Sequence, residues 1–190
     1  MRGAAHAPVT TESRYNSPVT SQARPTIDVV RWLFAYQAWA TPHIFVPAAT
    51  LGAAEVNRPA VIAGGQGTGS LFETLAHMTG AQETWLSRWE GNQRATLRSA
   101  ADFPDLAALS RTWSAIEQRM GAFLRVISQA HLDSTFHYFT TTGVAQALPL
   151  GQTLVHAAIH ATHHRAEAAV ALTALGVPPA GMDLLEFMRL

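Results

Sequence analysis

Apolar residues recur at intervals of three and four in several long stretches of this chain, and no other feature limits the fold class so tightly. That interval gathers side chains on one face of an α-helix, where each residue advances by about 100°. From Ile27, Val29, Leu33, Tyr36 and Trp39 follow the spacing, and Ile44 and Phe45 carry the apolar side onward. Pro42 lacks a backbone donor and crowds the preceding turn, so it is predicted to kink or interrupt this helix. A second helix starts at Ser70, three residues before Glu73 in the pattern of a capping box, and carries Leu71, Leu75, Met78 and Trp85 to a close at Gly91. The third is predicted from about Pro104 to Ser128, with Leu106, Leu109, Trp113, Ile116, Met120, Phe123 and Leu124 as its buried stripe. The fourth leads in from Gly151 and Gln152 and stops at Gly176, ahead of Val177 and two prolines. Between the third and fourth, "TFHYFTTTGVAQAL" is β-branched and aromatic around a Thr-Gly turn and predicts a small β-hairpin; "MDLLEFMRL" predicts a short terminal helix. The glycine-rich "RPAVIAGGQGTGS" reads as a loop, without the Gly-Lys-Ser/Thr of a phosphate cradle. The expectation is an all-α four-helix bundle, in which sites are built from side chains that project inward from facing helices.

With 190 residues, 48% of them hydrophobic and 14% charged, the chain suits one domain with a sizeable core, placed at residues 25–190. Residues 1–24, rich in Ser, Thr, Pro and Ala and without the apolar core of a secretory signal, are expected to be a disordered tail on a cytoplasmic protein. No apolar run approaches the roughly 20 residues of a membrane-spanning helix. Thirteen acidic and thirteen basic residues cancel, so the field that attracts nucleic acid or anionic lipid is missing. All the bases are arginine, which excludes a lysine Schiff base. Cysteine is absent too, which excludes disulfides, a catalytic thiolate of the chain's own and sulfur-ligated metals. Any metal must be held by nitrogen and oxygen.

The fourth helix carries the chemistry, in "LVHAAIHATHHRAEAA". Residues four apart lie one turn above one another, a relation met by His160 with His164 and by His156 with His160, so either pair can reach one ion from one face. The glutamate of an HExxH protease is missing, since Ala161, Thr162 and His163 fill the interval. A third ligand is expected from a facing helix, and His77, mid-helix among Leu71, Leu75 and Met78, is the best candidate. Three imidazoles leave a coordination position open, the form of a catalytic site. Against this stands the plainer reading: a lone histidine on an apolar face is more often a satisfied core or surface residue, and a cluster can be a solvated stripe or a pH-sensing patch. His163, about 60° from His160 around the helix, suits a supporting role from outside. Glu73 can orient His77 but is already explained by the cap; Glu83 can approach the ion; Glu167 can accept from a ligating histidine; Arg165 can clamp an anion but more readily makes a structural contact. His6, His43, His131 and His137 have no paired partner and are assigned no role.

Together, "VVRWLFAYQAWA", "LFETLAHMTGAQETWLSRWEG", "LVHAAIHATHHRAEAAVALTALGVPP" and "MDLLEFM" resemble the DinB/YfiT-like superfamily of metal-dependent proteins, over roughly Ile27 to Met188. The resemblance implies a bundle of up-down-down-up course and a divalent metal, zinc, nickel, iron or manganese, on His77, His160 and His164. It also implies a homodimer. Relatives include thiol-dependent S-transferases that use bacillithiol and isomerases that use mycothiol, and most members have no assigned reaction. The family commonly follows its His-Arg pair with Gly-Gln, where this chain has Ala166 and Glu167.

The functional expectation is a metal-dependent enzyme on a small-molecule substrate, its three-histidine site activating a low-molecular-weight thiol cosubstrate or water. An S-transferase, an isomerase or a hydrolase would fit. The alternative is a non-enzymatic, dimeric metal-binding or stress-related bundle.

Overall fold

A computed structural model of the chain describes residues 24–59 and 69–190. Nearly all of the expected tail and most of the glycine-rich loop lie outside the described residues. Helix α1 spans Ile27–Ala40, its first turn capped by Thr26, whose Oγ1 accepts from the Val29 amide at 3.3 Å. It ends where Pro42 opens α2 (Pro42–Ala48), so the proline interrupts the helix as its missing donor requires. A short α3 (Ala53–Val56) precedes α4 (Leu71–Trp89), whose cap is the expected one: Ser70 Oγ accepts from the Glu73 amide at 3.2 Å and donates to Glu73 Oε2 at 3.1 Å. Asp105 caps α5 (Leu106–Val126) through the Ala108 amide at 2.7 Å. Then come α6 (Gln129–Asp133) and an antiparallel hairpin of β1 (Thr135–Phe139) and β2 (Ala145–Pro149), paired from Thr135 with Pro149 to Phe139 with Ala145. The 25-residue α7 (Leu150–Ala174) gives way at Gly176, φ +83°, and α8 (Leu184–Phe187) follows.

The long helices α1, α4, α5 and α7 form the bundle, and two apolar clusters define their directions. One gathers Val30 and Phe34 of α1, Leu86 and Trp89 of α4, Ile116 and Met120 of α5, and Leu150 and Leu154 of α7. The other gathers Ile44 and Phe45 of α2, Leu71 and Leu75 of α4, Leu109 and Trp113 of α5, and Ala168 and Leu172 of α7. Helices α1 and α7 therefore run from the first cluster to the second while α4 and α5 run the other way, an up-down-down-up course. Leu75, Leu86, Leu154 and Leu172 are wholly shielded, each contributing about 1.5–3 kcal/mol by burial. No helix among the described residues is long and apolar enough to cross a membrane.

Because α4 and α5 are parallel, the chain between them must travel back along the bundle, and residues 90–105 do so against α4. Thr84 Oγ1 lies 3.2 Å from the Thr96 carbonyl, and Arg98 Nη1 donates to Glu83 Oε2 at 3.1 Å. The same connection is tied to the hairpin, since the Phe139 amide donates to the Gln93 carbonyl at 3.0 Å.

The expected apolar face of α1 is displaced by one residue. Val30, Phe34, Gln37 and Ala40 are its buried residues, whereas Val29 is 46% exposed and Tyr36 and Trp39 are half-buried. The displaced face is covered by the C-terminal segment: Phe187 of α8 packs on Trp32, Tyr36 and Trp39 at centroid distances of 6.3, 5.8 and 5.7 Å, and Tyr36 donates to the Met182 carbonyl at 2.7 Å.

Gly80 is the point at which the returning connection meets α4, for a Cβ added there would stand 2.4 Å from the Arg98 carbonyl oxygen. Gly80→Ala is expected to lower unfolding stability by about 1–3 kcal/mol, as overpacking at a rigid backbone contact does. Urea denaturation checks this; an unchanged midpoint would mean that the connection does not press on α4.

Candidate metal centre

Helices α4 and α7 pack against each other, and both carry buried alanines. Ala76 and Ala81 on α4 and Ala157, Ala158, Ala161 and Ala168 on α7 are buried, and side chains this short let two helix backbones close on each other. Three imidazoles meet beside that contact. The His77 ring lies 5.4 Å from His160 and 4.6 Å from His164, centroid to centroid, and His160 lies 4.5 Å from His164. One ring nitrogen from each falls within 4.8 Å of the others, so the three residues singled out by spacing form one cluster.

The donor geometry fits a cation. His160 Nε2 and His164 Nε2 are 3.2 Å apart. Two imidazole nitrogens bound to one tetrahedral ion at 2.0–2.1 Å would be separated by about 3.3 Å, so the pair already spans one coordination edge. The tautomer of His164 is set from behind: its Nδ1 lies 2.7 Å from Glu167 Oε2, and since a carboxylate only accepts, Nδ1 carries the proton and Nε2 presents its lone pair to the cluster. His163 Nε2 stands 3.0 Å from the other carboxylate oxygen and steadies the same group from the surface, the supporting position expected of it. Glu167 is 7% exposed, so its charge faces these two imidazoles rather than water.

His163, His164 and Glu167 also lie close enough to be counted as a ligand set. In that set Glu167 would have to give up the proton it holds on His164 Nδ1, and one ligand, His163, is exposed. The set led by His77 keeps that bond and is the better cation site.

Electrostatics favour the metal-ready form. Burial, and then the neighbouring imidazoles of His164, His77, His156 and His163, push His160 down from 6.5 to about 4. His77 is lowered by burial first and by His164 next, with Glu167 opposing. Both rings are therefore neutral near pH 7 and offer lone pairs.

The remaining candidates separate. His156, the other half of the alternative pair, turns its ring edge-on to Trp85 at 5.4 Å and stands 5.8 Å from His160, outside the cluster. Glu73 is engaged by its cap and Glu83 by Arg98. Arg165 is buried, with Nη2 donating to Thr162 Oγ1 at 2.7 Å and its guanidinium 5.2 Å from the Tyr36 ring centroid. His43 Nδ1 bonds the Gly181 carbonyl at 2.8 Å, and His131 caps α6. Arg98 was not anticipated, because only the tertiary return of residues 90–105 brings it beside His77. The two share a cleft of about 420 Å³ with Glu73, Leu97 and Ser99.

The direction of the His160 and His77 shifts predicts the pH response of the metal-free protein. Unfolded histidine takes up a proton near 6.5 and folded His160 only near 4, so the unfolded state binds more protons between these values. Stability is complete above about pH 6.5 and is lost as the pH falls toward 4. The urea midpoint of metal-free protein should fall over that window and fall less steeply in His160→Ala; parallel profiles would contradict the assignment.

No curated protein sequence matches the chain. The sequence profile of the DinB family matches residues 27–190, which spans all four bundle helices, the three clustered histidines and the terminal segment. With most of its length covered by that profile, the chain belongs to the DinB family.

Proposed function

We propose that His77, His160 and His164 hold one divalent metal ion and that the protein is a metal-dependent enzyme acting on a small molecule with a thiol cosubstrate or water. The observation that carries this reading is the 3.2 Å approach of two Nε2 atoms, one with its lone pair fixed by Glu167. Unlike a solvated stripe, these rings are turned toward one another. Family membership adds support, since three histidines in these positions accompany the fold.

When bound, such an ion supplies Lewis acidity at the position that three imidazoles leave open, lowering the pKa of a thiol or water placed there. The chain's own groups do the rest. Glu167 keeps the Nδ1 proton of His164 in place, which fixes the ring and raises its basicity. The single carboxylate against a doubly charged ion leaves a positive site, which favours an anionic fourth ligand such as a thiolate. As the chain contains no cysteine, the sulfur belongs to a cosubstrate. The cleft beside His77 admits a substrate, and Arg98, held from behind by Glu83, lines its polar wall. Imidazole ligands suit zinc, nickel and iron alike, so the donor set does not select the metal.

Metal analysis after loading should give about one ion per wild-type chain and almost none in His160→Ala/His164→Ala. Glu167→Gln, which keeps all three ligands, should weaken affinity roughly 10- to 100-fold. With monochlorobimane or maleylpyruvate and a panel of low-molecular-weight thiols, turnover should require metal and vanish in the double variant. Equal metal content in the double variant and wild type would defeat the site; full occupancy without turnover, and with the metal raising thermal stability through a closed coordination sphere, would make the metal structural.

A further inference from the structure

The cleft of about 420 Å³ beside His77 carries one charged group of each sign in its lining, Glu73 and Arg98. They come from different parts of the chain. Glu73 lies on α4 one turn before His77, half-buried, and its Oε2 accepts from Ser70 Oγ at 3.1 Å, which leaves Oε1 to a ligand. Arg98 reaches the cleft from the returning connection. Its carbonyl oxygen lies against Gly80, Nη1 donates to Glu83 Oε2 at 3.1 Å and Nη2 to the Asp102 carbonyl at 3.0 Å, and its guanidinium lies 4.0 Å from the Phe103 ring centroid. Those contacts hold the group still without exhausting it. A guanidinium has five N–H groups, two of them are engaged here, and the side chain is 38% exposed.

The rest of the lining is small and uncharged. Leu97, Ala100 and Ala101 give it an apolar floor, and Ser99 turns its hydroxyl to Asp102 Oδ2 at 3.0 Å. His77 completes the wall, so the cleft adjoins one member of the three-histidine centre.

We propose that this cleft selects a small zwitterion of amino-acid or dipeptide type, its ammonium at Glu73 and its carboxylate at Arg98, and so places such a molecule beside the three histidines. The proposal rests on the metal-dependent reading above and narrows its substrate to that class. A purely anionic ligand would set like charge against Glu73, and a purely cationic one against Arg98, whereas a molecule with both signs meets a partner at each end. The guanidinium suits a carboxylate because its planar fork matches two oxygens at once. Both contacts are partly open to water, so each is expected to contribute a selectivity of roughly three- to tenfold.

The test uses the cobalt-loaded full chain and three thiol peptides, cysteinylglycine, N-acetylcysteinylglycine and cysteinylglycinamide, whose thiolate absorption on cobalt reports binding. The free peptide is expected to bind roughly three- to tenfold tighter than either blocked one. In Arg98→Gln the preference over the amide should disappear while the preference over the N-acetyl peptide stays, and in Glu73→Gln the reverse is expected. The variants thus assign each contact to its side chain. Both keep the three histidines, so their cobalt content should match that of wild type. Circular dichroism establishes that they fold, and if one does not, the other decides. Equal affinity for the three peptides at full cobalt occupancy, or preferences unchanged in a folded Arg98→Gln or Glu73→Gln, would overturn the proposal and leave the metal reading intact. A chain that takes up no cobalt at the three histidines would defeat that reading and the proposal with it.

Discussion

The close approach of α4 to α7 is the contact on which the rest of the structure depends. The buried alanines at positions 76, 81, 157, 161 and 168 add little side-chain bulk to the two helices, and His77 reaches across to His160 and His164. Larger residues at the crossing would separate the helices by ångströms, more than ligand distances to a single ion tolerate. The apolar clusters above and below then hold the register, with Leu86 and Leu154 in one and Leu75 and Leu172 in the other. A polar centre of three imidazoles and a buried carboxylate is thus clamped between two apolar halves.

That arrangement carries a cost in desolvation. Neutral imidazole is cheaper to bury than imidazolium, and the lowered titration of His160 and His77 expresses the difference. The Glu167 carboxylate is placed among them, with Oε2 2.7 Å from His164 Nδ1 and Oε1 3.0 Å from His163 Nε2. The Glu167 carboxylate brings a negative charge next to His164, which would raise the basicity of that ring and lower the net charge of a cation held beside it. Nothing in the structure gives Ala166 a comparable part.

Much of this was legible in the sequence because the signals are local. Ser70 with Glu73, Pro42 and Gly176 set helix ends by chemistry within a few residues, and the four-residue interval of His160 and His164 needs only helical geometry. His77 was legible from its place on an apolar face. What escaped was long-range. The buried face of α1 was read one residue off because Tyr36 and Trp39 look like core, and only the return of α8 explains why they are apolar without being central. Arg98 belongs to a connection without periodicity, and its place beside His77 follows from the parallel course of α4 and α5. Of the two pairs, His160 and His164 cluster with His77, whereas the His156 ring packs on Trp85 of a different helix.

The central claim is that three imidazoles share one cation, and anomalous diffraction from metal-loaded crystals tests it most directly. The account predicts a single anomalous peak within about 2.0–2.3 Å of a ring nitrogen of each of His77, His160 and His164, with Glu167 still bonded to His164 Nδ1. A peak bound instead by His163 and Glu167, or metal-saturated crystals with no peak among the three rings, would contradict it.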